Sequence, residues 1–147
     1  IDAVERFLHF EFALTDETAP EYERILKLFH GEYLPGIDHD ILDLERERYR
    51  TQWLHRKMKL VKWYYDRMKF EHALKHCEQL CERFPLEEEA HFMYMKICDK
   101  LRYPFLVKRQ YATLVSNLDK ELNEKPKSEI VRWYASWKLR NYALKRS

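Results

Sequence analysis

Glycine is almost missing from this chain: Gly31 and Gly36 are the only two in 147 residues. That scarcity argues against sheets joined by tight turns and against glycine-rich phosphate loops, and it favours helices joined by short connections. Long apolar runs are missing too. None approaches the roughly 18 residues needed to span a bilayer, and no charged-then-apolar signal peptide opens the chain, so a cytoplasmic protein without membrane contact is expected. There is no G-x-S-x-G, no Walker sequence and no H-E-x-x-H, so neither catalytic residues nor a cofactor are expected and the chain is read as no enzyme. Cysteine is scarce and odd in number. Cys77, Cys81 and Cys98 fall on segments patterned as helices, which fits reduced thiols better than a disulfide framework. Neither sign of charge dominates, with 27 Lys and Arg against 25 Asp and Glu and a net charge of +2. A domain that grips DNA through phosphates usually carries a concentrated positive face, so this stretch is not read as the DNA-binding part of anything.

What the chain does contain is material for a core: 46% hydrophobic and 15% aromatic residues under a surface supplied by 35% charged ones. The length suits one domain, 1–147, and the start at Ile1 rather than Met leads us to expect a piece of a longer polypeptide. Asp2 and Glu5 suit the start of a first helix to about Leu14, with Val4, Phe7, Leu8 and Phe12 inward. Thr18 and Glu21 have capping-box spacing, and Pro20 and Gly31 bracket a second helix burying Tyr22, Ile25, Leu26 and Phe29. Gly31 to Asp40 reads as a loop through Tyr33-Leu34-Pro35-Gly36. A long helix is predicted over about Ile41–Met68, with Tyr49, Trp53, Leu60 and Tyr64 on one flank and Leu54, Met58, Val61, Tyr65 and Met68 on the next. Helices follow over Phe70–Arg83, Glu87–Leu101, Pro104–Leu122 and from Ser128 onward, the last presenting Ile130, Trp133, Tyr134 and Trp137. Leu60, Tyr64, Ala73, Leu80 and Pro85 stand at the offsets of a helical hairpin of the tetratricopeptide type, a unit of about 34 residues that stacks on its neighbours to bury its apolar face. The expected fold class is therefore all-α, with about seven helices in stacked hairpins forming a short right-handed solenoid.

Candidate chemistry is thin. His72 with His76, and Cys77 with Cys81, stand at i, i+4, so one helix brings imidazoles and thiols to neighbouring faces that can in principle hold zinc. Zinc sites usually use C-x-x-C pairs at turns, and Cys77 occupies a buried position of the repeat, so packed thiols, surface imidazoles and no metal site are expected. Asp38, Asp40, Asp43 and Glu45 cluster where the long helix starts, and their spacing fits favourable charge at its positive end better than a cation loop. The mixed run Glu45, Arg46, Glu47, Arg48 and Arg50 reads as a solvated face. Arg56, Lys57, Lys59 and Lys62 are read as apolar stems with charges in water.

Leu28-Phe29-His30-Gly31-Glu32-Tyr33-Leu34-Pro35, then Arg48, Ala73, Phe84-Pro85-Leu86-Glu87-Glu88-Glu89-Ala90-His91, Tyr111, Leu118, Glu121-Leu122 and Lys125-Pro126 closely resemble the bacterial transcriptional activator domain. Order and spacing agree with its "ly.G.yLp" loop, "dPl.E..h" junction and "Y…L..eL…P" ending, from Asp2 to about Tyr134. The chain departs from that pattern where the family often has Trp, at Leu42, Leu44 and Glu45, and at the glycine of its "elG" ending, here Asn123 or Glu124. The resemblance implies a tetratricopeptide-like module of transcription regulators, often C-terminal to a winged-helix DNA-binding domain, as in antibiotic regulatory proteins of the SARP type and in response regulators with a receiver domain. It implies protein partners, either a second copy or RNA polymerase, with DNA reached only through a domain outside this chain. Trp133, Tyr134 and Trp137, on a terminal helix with no later repeat to cover it, are the candidate partner-binding residues, because aromatic side chains anchor interfaces. The alternative is that they simply close the core. For the whole chain, the alternative is a tetratricopeptide-like adaptor or a sensor of a peptide or small molecule unconnected to DNA.

Overall fold

A computed structural model describes residues 13–28 and 43–146. Among the described residues there are six helices and no strand: α1 (Ala19–Leu28), α2 (Asp43–Asp66), α3 (Phe70–Arg83), α4 (Glu88–Lys100), α5 (Pro104–Leu122) and α6 (Ser128–Arg146). The chain divides into two compact units, Ile1–Met68 and Lys69–Ser147. The helix expected before Leu14, the Gly31 turn and the Tyr33-Leu34-Pro35-Gly36 loop lie outside the described residues, as do Phe29, Asp38 and Asp40.

In the first unit α1 runs antiparallel to α2. The pairing is specified by polar atoms at the edges of an apolar seam. The Trp53 indole N–H donates to the Leu26 carbonyl (3.1 Å), the Tyr22 hydroxyl donates to the Arg56 carbonyl (3.1 Å), and the Tyr64 hydroxyl donates to a Glu23 carboxylate oxygen. Arg67 closes the far end on Asp16 at 2.9 Å. Tyr22, Ile25, Leu26, Trp53, Leu60, Val61 and Tyr64 are all buried, as the spacing predicts. Burial, and then the Glu23 hydrogen bond, push the Tyr64 phenol well above its ordinary range, so it remains a donor.

The start of α1 differs from expectation by one turn. The Thr18 amide donates to the Thr15 hydroxyl (3.1 Å) while the Thr15 amide donates back to the Thr18 hydroxyl (2.8 Å). This is a reciprocal capping box, with the bond from the Ala19 amide to the Thr15 carbonyl closing the first turn. Glu21, the expected partner of Thr18, forms an exposed pair with Arg24 instead. Arg56 and Lys57 are also buried rather than solvated, and Lys57 lies 5.5 Å from the centre of the Trp53 ring. Apolar periodicity does not count a lysine stem, so the pattern understated how much of α2 is covered.

In the second unit α4 is the central helix, buried along most of its length from Ala90 to Cys98. It packs against α3 on one side and α5 on another. Small residues set the α3–α4 approach: Ala73, Cys77 and Ala90 are fully buried, and the Cys77 thiol donates to the Ala90 carbonyl at 3.3 Å. The helix ends use left-handed residues where glycine is usual. Arg102 (φ 62°) lets the Tyr103 amide reach the Cys98 carbonyl, and Asn123 (φ 52°) lets the Glu124 amide reach the Leu118 carbonyl. The first closure is a Schellman motif, and in the second the Asn123 amide returns to the Asp119 carbonyl as in the simpler left-handed cap. Asn123 therefore occupies the glycine position of the expected ending, and asparagine tolerates that conformation better than most residues. Met68, also left-handed at φ 62°, follows the end of α2 and is exposed, outside the apolar flank predicted for it.

Arg102 has no side-chain compensation for its left-handed backbone comparable to asparagine's. Arg102→Gly is expected to stabilise the chain by about 0.5–1 kcal/mol, the relief of the left-handed penalty less the added freedom of the unfolded glycine. A rise in the urea midpoint at unchanged slope is the readout.

Candidate functional site

The second unit brings the three aromatic residues of α6 onto α4 and α5. Trp133 meets Phe92 of α4 edge to face, with ring centroids 5.7 Å apart. Tyr134 stacks on Tyr111 of α5 at 3.8 Å, with planes 12° apart, and lies 5.7 Å from Trp137. Trp137 is only 3% exposed, and its indole N–H donates to Asp99 at 2.9 Å. Trp133 and Tyr134 are half-buried, so each contributes packing inside the unit and leaves part of its ring at the surface. Lys96 sits 3.9 Å from the Phe92 ring and Lys138 5.7 Å from the Tyr134 ring, which rims the cluster with positive charge. Burial, with Tyr111 next to it, raises the Tyr134 phenol above its ordinary value and keeps it neutral.

The approach of α6 is fixed one turn earlier by the junction between α3 and α4. Pro85 ends α3 and leaves its carbonyl facing α4 and α5. His91 Nε2 lies 2.8 Å from that oxygen and Asn117 of α5 donates to it at 3.1 Å. A carbonyl only accepts, so Nε2 of His91 carries the hydrogen and Nδ1 accepts from the Gln110 amide at 2.6 Å. Glu88, three residues before His91, accepts the Lys127 amide at 2.8 Å and so positions the start of α6. Both ring nitrogens of His91 are thus committed, and the side chain is almost wholly inaccessible. Burial lowers its pKa against the opposing pull of the Pro85 carbonyl and Glu88, so the imidazole is neutral.

Gln110, Asn117 and Asp99 carry no motif and escaped sequence reasoning. Gln110 alone left a trace, a polar residue at a core position of the stripe Val107, Gln110, Leu114 and Leu118.

The residues of the possible zinc site are not brought together as a set. His72 is exposed as expected, but His76, expected at the surface, is buried with Cys77 because the α3 face that packs on α4 includes its position, and among the described residues no three His, Cys, Asp or Glu side chains are grouped to hold a metal. The hydrogen bond with Cys81, then burial, raises Cys77 well above the ordinary thiol range, and burial pushes Cys98 up to about 12. Both stay as thiols at neutral pH, whereas nucleophilic attack needs the thiolate. Arg48 lies exposed on α2.

The lowered pKa of His91 makes stability depend on pH. Its ordinary value is 6.5; below that the unfolded chain takes up a proton that the folded site resists, so the contribution is complete above pH 6.5 and is lost as pH falls through the folded value. Thermal unfolding is expected to show a larger drop between pH 7.5 and pH 5 for the wild type than for His91→Gln, which has no proton to take up.

The family model described as the bacterial transcriptional activator domain matches residues 13–136. A search of curated proteins and a search of solved structures each found no match. The matched span contains the Pro85–His91 junction, the Tyr111 stack and the Asn123 ending, and its all-helical, tetratricopeptide-like fold agrees with the six helices observed. The chain belongs to the bacterial transcriptional activator domain family.

Proposed function

We propose that this chain is the regulatory and protein-interaction domain of a bacterial transcriptional regulator, acting by binding a partner chain or a second copy of itself rather than DNA. The observation that carries this reading is the family match over residues 13–136. The total of 27 cations and 25 carboxylates supports a protein partner over a phosphate backbone, the positive excess being confined to residues 125–146. In this reading residues 1–147 are one activator domain cut from a longer, cytoplasmic regulator whose winged-helix domain reads DNA, of the SARP or response-regulator kind. The half-buried rings of Trp133 and Tyr134, with Trp137 stacked against Tyr134, supply part of the contact surface for a second copy or for RNA polymerase. No helix among the described residues is long and apolar enough to cross a membrane.

Trp133 is the residue to change, since Trp137 also holds Asp99. Trp133→Ala is expected to keep a cooperative thermal transition while lowering the oligomer mass in sedimentation, or the recovery of RNA polymerase on the immobilised chain, by several-fold. The wild-type chain alone is expected to show no sequence preference among DNA fragments. Sequence-specific DNA binding by the chain alone, or unchanged association in the variant, overturns the reading.

A further inference from the structure

Helix α6 has a second apolar face. Its inner side, Ile130, Trp133, Tyr134 and Trp137, packs on α4 through Phe92 and Asp99 and on α5 through Tyr111. On the other side Val131 (40% exposed), Ala135, Leu139 (73%) and Tyr142 (57%) recur at i, i+4, i+8 and i+11, a strip about 80° wide at 100° per residue. A terminal helix that served only to close a core would be polar there. Two of these four residues, Leu139 and Tyr142, lie beyond the span matched by the family model.

The charge around this strip is one-sided. Residues 125–146 hold seven Lys and Arg, namely Lys125, Lys127, Arg132, Lys138, Arg140, Lys145 and Arg146, against the single carboxylate of Glu129. The segment is therefore +6, and the chain's total of +2 leaves every other residue together at −4. Arg132 flanks the strip on one side and Lys138 on the other, both exposed.

The geometry points to a docking site for an acidic amphipathic helix of a partner protein, laid along the outer face of α6 with its apolar residues on Val131, Ala135, Leu139 and Tyr142 and its carboxylates on the flanking cations. Charge complementarity selects this occupant. A second copy using the same face would bring two +6 segments together, which costs affinity. Nucleic acid would use the cations and gain nothing from the exposed Leu139. A bilayer would need a wider apolar face than this strip, and the inner face of α6 is already committed to α4 and α5. The site refines the proposed function and rests on it, since it presumes that the chain works by binding protein.

The test uses the 147-residue chain and a fluorescent synthetic peptide with Leu and Phe at i, i+3, i+4 and i+7 and Glu and Asp elsewhere, alongside a scrambled peptide of equal composition. Anisotropy is expected to show saturable binding of the patterned peptide, weakened about tenfold by Leu139→Glu or Tyr142→Glu and by scrambling. Both substitutions are at exposed positions, so an unchanged melting temperature separates lost contact from lost fold. Equal binding by the two peptides, insensitivity to Leu139→Glu, or preferential binding of duplex DNA or anionic phosphatidylserine vesicles overturns the docking site. If Leu139→Glu changes nothing while Trp133→Ala still abolishes partner recovery, the docking site falls and the interaction reading stands. If neither substitution nor any partner shows an effect, both fall.

Discussion

The second unit is organised about one oxygen atom, the carbonyl of Pro85. Proline ends α3 because its ring cannot continue the hydrogen-bond ladder, and the turn that follows leaves this acceptor between α4 and α5. Pro85 itself is exposed, yet two side chains from different helices, His91 and Asn117, converge on its carbonyl. Serving it determines much else. The imidazole must carry its hydrogen on Nε2, so Nδ1 requires a donor, and Gln110 of α5 provides one. Glu88 then orients the approach of α6 through the Lys127 amide. Four consecutive helices are tied through one junction, and a change of charge on His91 would disturb all of them.

This accounts physically for the family pattern. The Pro and His of the "dPl.E..h" junction are Pro85 and His91, and their shared hydrogen bond explains why that residue is a histidine without invoking catalysis or metal. Tyr111 of the ending forms the stacked pair with Tyr134, Leu118 is buried, and Asn123 takes the backbone conformation for which the family uses glycine.

The helices themselves were largely legible in the sequence, because apolar spacing and prolines act locally. Phe70–Arg83 and Pro104–Leu122 begin and end where Pro85, Pro104 and the helical stripes placed them. The capping box was displaced to Thr15 and Thr18 because three-residue spacing recurs and geometry alone decides which pair closes. Gln110, Asn117 and Asp99 stayed hidden for a different reason. A polar residue satisfied by an atom far along the chain has no periodicity, and its partner exists only after the helices pack. The aromatic residues of α6 were visible as a group, but their direction was not: spacing places Trp133, Tyr134 and Trp137 on one side without saying that α4 and α5 already occupy that side.

The burial of α4 on nearly every side governs how the second unit opens. Its amides are shielded by neighbours contributed from before and after it in the chain, so they reach solvent when those neighbours separate together. The last turns of α6 lie at the opposite extreme, where Leu144 is already 71% exposed. Opening there uncovers less apolar surface than opening at α4 and leaves the histidine junction intact.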